Sequence, residues 1–255
     1  VKKAWLDAVG MEAPTTWDEL KDVAQKTTQG NVTGFAMCCL QNEEGTFNFT
    51  PWLWSTGATS YDINNDNGIK ALTLVKDLVD AGSMSKEVIN WTQGDVMNQF
   101  ISGNIAMMVN GPWQVPTMRE QAPDLNWDVT LLPKDAEYAS CLGGENFGVI
   151  DGDNVDAALD FLQFATSKDE VASYIDDFGY IAARKDVAEG QFTDDETMQK
   201  FTEEMQYAQP RGPHAQWPEI SDALSLAVNE SITGTSTPAD AAAKAQSTID
   251  GILAE

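Results

Sequence analysis

The chain has 255 residues, 42% hydrophobic and 22% charged, which is enough for one or two folded domains. Forty acidic against 15 basic residues give a net charge of −25. That balance excludes the basic footprint that nucleic acids and anionic lipid surfaces require, and a solvated acidic surface accounts for it.

Taken in chain order, residues 2–9 read as the end of a helix closed by Gly10. PTTWDELKDVAQKTT predicts a helix with Thr16 as N-cap and Glu19 completing a capping box, and Leu20, Val23 and Ala24 form its apolar stripe. GFAMCCL (34–40) predicts a buried strand, and TFNFTPWLWSTGA (46–58) an aromatic-rich loop and helix. GIKALTLVKDLVDAG has helical apolar spacing from Ile69 to Val79, with Gly82 after the last turn. DVMNQFISGN predicts a further helix, IAMMV a strand, and WDVTLL (127–132) a second strand ended by Pro133. LGGENFGVI reads as a Gly-rich strand or crossing segment. Five helical segments follow: DNVDAALDFLQFATS, KDEVASYIDDFG, DDETMQKFTEEMQYAQ, WPEISDALSLAVNESITG and TPADAAAKAQSTIDGILAE. Asp194, Pro218 and Thr237-Pro238 supply starts for the last three. Strands alternating with helices give an α/β class.

Few residues suit catalysis. One histidine, His214, rules out HExxH, and no GxSxG or phosphate-binding loop is present. Cys38, Cys39 and Cys141 contain no CxxC pair, so a structural zinc site is excluded, and no acidic cluster has calcium-loop spacing. Free buried thiols are the simple expectation; an oxidising compartment would allow Cys38 or Cys39 to bridge Cys141. A carboxylate pair for glycoside hydrolysis stays open among 40 acids, since no motif singles one out.

The binding signals are aromatic. Gly111-Pro112-Trp113 follows IAMMV, so Trp113 falls at the carboxyl end of a strand and the amino end of a helix, where open α/β sheets bind ligands. Gly111 allows a ligand or neighbouring backbone to come close. Phe47, Phe49, Trp52 and Trp54 crowd one segment just after Glu43 and Glu44, and residues 209–218 form a Pro-rich polar loop carrying Arg211, His214 and Trp217. Aromatic faces beside carboxylates and amides suit sugars; core packing is the plain alternative for each ring.

The order of PTTWDEL, FTPWLWSTGA, FISGNIAMMVNGPW, GGENFGVI, FGYIAARKD, WPEISDALSLAVNESITG and AAAKAQSTIDGILAE resembles the extracellular solute-binding proteins of ABC importers, family 1, maltose-binding-protein-like. The resemblance runs the whole length, and F-x-x-G-x-x-A-M-x-x-x-G-P-W carries most of its specificity. It implies a type II periplasmic-binding-protein-like α/β fold, here mainly the C-terminal lobe with part of the N-terminal lobe. Residues 1–140 would be the first C-terminal-lobe segment, 141–195 a partial N-terminal-lobe segment after the crossing, and 196–255 the helical closing segment. VKKAWLDAVG opens without a secretory leader and reads as mid-protein; family members carry a leader, often a lipoprotein one, and about 100 further residues before this point. An exposed apolar face on ALDFLQFATS, or a partner chain covering it, is therefore expected.

By the same resemblance, Trp113 matches the tryptophan that stacks on sugar, Phe47 falls near the family's other stacking aromatic, and Glu44 near its carboxylate. Glu145 and Asn146 fall where the chain crosses between lobes, and His214 and Trp217 in the loop reaching the site from the C-terminal helices. The implied function is extracellular capture of a sugar or oligosaccharide for an ABC permease, with no catalytic residue, metal or cofactor, and with membrane attachment only through an N-terminal lipid anchor. Capture of a polyamine or peptide, or glycoside hydrolysis, are the alternatives; cation–π contact would suit a polyamine.

Overall fold

A computed structural model describes residues 1–255. In chain order the first elements are α1 (Lys3–Val9), α2 (Trp17–Thr27), β1 (Thr33–Ala36), α3 (Glu43–Ser55), α4 (Asp66–Asp80), α5 (Gln93–Ile101) and β2 (Ile105–Met108). There follow a 3-10 turn at Pro112–Gln114, α6 (Val115–Gln121), β3 (Ser140–Cys141), α7 (Val155–Ala165) and α8 (Lys168–Tyr174). The chain closes with α9 (Lys185–Ala188), α10 (Glu196–Glu204), β4 (Ala208–Gln209), α11 (Trp217–Thr233) and α12 (Pro238–Leu253). No helix is long and apolar enough to cross a membrane.

Local chemistry sets most of these boundaries. Gly10 closes α1 in the left-handed region at φ 65°. Thr16 and Glu19 form the predicted capping box of α2, and Thr92 and Asp95 form another on α5. Thr237 caps α12 by accepting from the Asp240 N–H, and α10 is capped by Asp195, one residue after the expected Asp194. β1 and β2 pair in parallel, with Phe35 opposite Met107. Gly34 is required in β1 because a Cβ there would stand 1.9 Å from the Ala24 carbonyl oxygen of α2.

One large apolar core joins α2 to α5, β1, β2, α11 and α12. Leu20, Val23 and Ala24 of α2 are buried in it, as are Leu72, Val75 and Leu78 of α4. The segment expected to be part loop is helical through Ser55: α3 places Phe49, Trp52 and Trp54 in the core. Pro51 has no N–H for the Phe47 carbonyl, which the Thr50 hydroxyl reaches at 3.4 Å. A separate small cluster of Val171, Ala182 and Val187 ties α8 to α9. As expected, α7 is unburied: Leu159, Phe161 and Phe164 are all more than half exposed.

The strand expected at 127–132 fails, and of the two readings left open for LGGENFGVI the strand is not formed. Residues 127–132 form no ladder; Trp127 bridges Lys2, and the Leu132 N–H donates to the Glu204 carboxylate rather than to a neighbouring strand. Residues 142–150 have no regular structure beyond the Leu142 N–H bond to the Gln209 carbonyl, which continues the parallel β3–β4 pair. The three cysteines are free, so no bridge joins Cys141 to Cys38 or Cys39.

Glu204 carries a raised carboxyl pKa near the β3–β4 pair. Burial pushes its carboxyl up from 4.5 to about 7, Glu203 adds to the shift, and bonds from the Leu132 N–H and the Ser140 hydroxyl oppose it. One carboxyl oxygen is buried with no partner. The folded state therefore holds the proton more tightly than the unfolded chain. Its contribution to stability is complete below about pH 4.5 and is lost as pH rises through about 7. Glu204→Gln should remove that loss, on the order of 2 kcal/mol at high pH. Melting curves from pH 5 to 8 test this; parallel profiles for the two proteins would show that Glu204 titrates as an ordinary surface acid.

Candidate functional site

Trp113 lies in the 3-10 turn between β2 and α6, as its sequence position implies. Pro112 starts that turn, where a missing N–H costs nothing. Asn110 orders the approach: its side-chain amide donates to the Gln93 carbonyl at 2.8 Å and its side-chain oxygen accepts from the Gly111 N–H at 3.0 Å. The indole folds back over Gly111, so a Cβ at that residue would stand 2.1 Å from a ring carbon.

Phe47, on the first turns of α3, meets Trp113 at 5.9 Å between centroids, and Tyr180 meets Trp113 edge-on at 6.4 Å. The Arg211 guanidinium lies 4.8 Å from the Phe47 centroid. Gly143 brings residues 142–150 beside Phe47, since a Cβ there would touch the ring at 3.3 Å. Phe47, Trp113 and Tyr180 are half-buried, and none belongs to either apolar cluster.

The carboxylates beside these rings have defined tasks. Glu43 accepts from the Trp217 indole N–H at 3.0 Å and from the Ser221 hydroxyl and Arg211, gathering three donors from the 211–221 segment onto the start of α3. Glu44 accepts from the Gln93 N–H at 2.6 Å, at the amino end of α5. Trp217 packs on the large core, and Tyr61 lies 6.4 Å from both Trp217 and His214. His214 accepts the Gln216 N–H on Nδ1 at 3.2 Å. Burial pushes the Cys141 thiol up to about 11, against the lowering effect of a Thr50 bond and of Arg211.

The structure thus brings Gly111, Trp113 and Phe47 together. Trp217 joins them only through Glu43 and Arg211, and His214 stands behind Trp217. Glu145 and Asn146 are exposed and make no hydrogen bond. Sequence reasoning singled out Glu44 rather than its neighbour Glu43, and it missed Arg211 and Tyr180. Glu43 and Arg211 stood inside segments already marked as aromatic and polar. Tyr180 stood inside FGYIAARKD, which carried the resemblance but marked no site, because only the packing of two distant turns puts it against Trp113.

Comparison with known proteins gives the family and the fold. Residues 1–200 match the family model described as bacterial extracellular solute-binding protein. A putative binding protein of Brucella abortus is 27% identical over 248 residues, covering 91% of this chain and 60% of its own length. The chain therefore spans about three fifths of such relatives. An ABC transporter solute-binding protein from Thermotoga lettingae, solved with α-D-tagatose, superposes with a TM-score of 0.86 at 27% identity, covering 99% of this chain and 69% of that one. The GacH receptor of Streptomyces glaucescens, solved unliganded and with acarbose, superposes at 0.86 with 25% identity, covering 100% and 68%. The fold is the type II periplasmic-binding-protein fold in part, and the chain belongs to the bacterial extracellular solute-binding protein family.

Proposed function

We propose that this chain binds a neutral sugar or oligosaccharide outside the cell and serves its uptake by an ABC permease, with Trp113 and Phe47 stacking on the ligand. The observation that carries this reading is that Trp113 meets both Phe47 and Tyr180 while all three rings lie outside both apolar clusters. Half-buried rings that hold no core together, set beside polar groups, are what a sugar's C–H faces and hydroxyls require. The ligands of the Thermotoga lettingae and Streptomyces glaucescens relatives, α-D-tagatose and acarbose, support the same class.

The division into 1–140, 141–195 and 196–255 belongs to this proposal. The short β3–β4 pair near the first joint and the separate cluster under α8 and α9 support it, and closure would be a hinge motion there. The alternatives fare worse on specific contacts. A polyamine would bring its cations against the Arg211 guanidinium, which lies 4.8 Å from the Phe47 centroid, whereas a neutral sugar meets no such repulsion. A glycoside hydrolase needs two available carboxyl groups; Glu43 is bound by three donors and Glu44 caps α5. No catalytic residue or cofactor enters the reading.

Tryptophan fluorescence titration with a panel of neutral mono- and oligosaccharides, spermidine and short peptides tests it. A neutral sugar should change the emission of the wild-type chain, and Trp113→Ala should abolish the response while its melting temperature holds. Response to spermidine with silence toward every sugar would move the ligand to the polyamine class.

A further inference from the structure

The aromatic row does not stop at Tyr180. Phe178 stacks on Tyr180 with centroids 6.1 Å apart and planes 27° apart, and Tyr174 meets Phe178 edge-on at 6.1 Å. Phe178 is 56% exposed and belongs to neither apolar cluster. Tyr174, by contrast, packs on the small cluster and serves as its support.

The turn that carries these rings is rigidly held against the Trp113 turn. Gly179 has φ 66°, and a Cβ there would stand 2.7 Å from the Pro112 carbonyl oxygen and 2.9 Å from the Pro116 ring. Only glycine lets the two turns approach so closely. Gln191 braces the other side, donating to Asp176 at 2.5 Å and to the Tyr180 carbonyl at 3.1 Å, and accepting from the Ala182 N–H at 2.7 Å. The Tyr180 hydroxyl and the carboxylate of the exposed Asp177, the residue before Phe178, make no hydrogen bond within the chain. A braced, exposed ring with unengaged polar groups next to it is a pre-organised stacking position.

We propose that Tyr180 and Phe178 add a further stacking position to the Trp113 site, and that the ligand is a linear oligosaccharide whose outer units lie along this row. The inference rests on the sugar-binding reading of the Trp113 site. One ring spacing along the row is comparable to one sugar unit, so a monosaccharide on Trp113 leaves Phe178 bare, and a longer chain covers it. The Asp177 carboxylate and Tyr180 hydroxyl are then available to the hydroxyls of the outer units.

The test is a titration of the chain with two series, glucose to maltotetraose and glucose to cellotetraose. It is run on wild type, Phe178→Ala and Phe178→Tyr, with melting curves to confirm the fold. Affinity in one series should rise with length; Phe178→Ala should lose roughly 3–10-fold for the longer members and nothing for the monosaccharide, and Phe178→Tyr should retain the gain. Binding that is independent of length, or a length gain that survives Phe178→Ala, overturns the extended row and leaves the sugar reading standing. Silence toward every member of both series overturns the two together.

Discussion

Trp52→Ala is expected to cost about 3–5 kcal/mol, and to lower the melting temperature by roughly 10–15 °C. Trp113→Ala should leave the melting temperature nearly unchanged. The two residues are the same amino acid in nearby aromatic surroundings, and the difference lies in what they touch. Trp52 is buried, lies 6.2 Å from Trp17 and 6.0 Å from Phe35, and helps join α3 to α2 and β1. Its removal leaves a cavity that three separate elements line. Trp113 is half-buried and touches Phe47 and Tyr180, which are themselves outside the core. The indole N–H of Trp52 is buried with no partner. Trp52→Phe therefore removes an unsatisfied donor along with some volume, and should cost about 1.5 kcal/mol or less. Thermal melts of the three variants decide this. Equal losses for Trp52→Ala and Trp113→Ala would mean that Trp113 is a core residue and that the separation of rings into core and site is wrong.

That separation was only half legible in the sequence. Helices with one polar face announce themselves, and α2 and α4 were read with their caps and stripes because their exposed sides are charged. α3 is buried on nearly every side, which erases the period, so Phe49, Trp52 and Trp54 looked like loop aromatics when they are core. The strand expected at 127–132 had the right residues and no neighbour to pair with; its Leu132 donor goes to Glu204. Trp113 could be found because Gly-Pro after an apolar strand fixes its place locally. Adjacent acids such as Glu43 and Glu44 point to different neighbours, one toward α11 and one toward α5, and nothing along the chain distinguishes them. Tyr180 reaches Trp113 through the contact of two turns held by Gly179, a relation between distant residues that no local pattern records.

Gly111→Ala is expected to abolish the ligand response as thoroughly as Trp113→Ala, at least 10-fold in affinity, although every aromatic ring is retained. Gly111 has φ −102° and ψ 170°, extended backbone that alanine adopts without strain. The backbone therefore has no reason to change. The added methyl, however, would stand 2.1–2.4 Å from three carbons of the Trp113 ring, inside any permitted contact. The indole must swing away from Gly111, and so off its fixed position between Phe47 and Tyr180. A stacking site works through ring position held in advance, so displacing the ring removes the contact and adds the cost of reordering it. Emission of the free protein should shift with the new ring environment, the far-ultraviolet dichroism should not, and stability should fall by about 1–3 kcal/mol. Gly148→Ala, in the exposed crossing segment with nothing within 4 Å of its added methyl, is the matched control and should behave as wild type. Wild-type sugar affinity in Gly111→Ala would mean that the position of this indole is not what reads the ligand, and the site would have to be sought at the Glu43, Arg211 and Trp217 cluster instead.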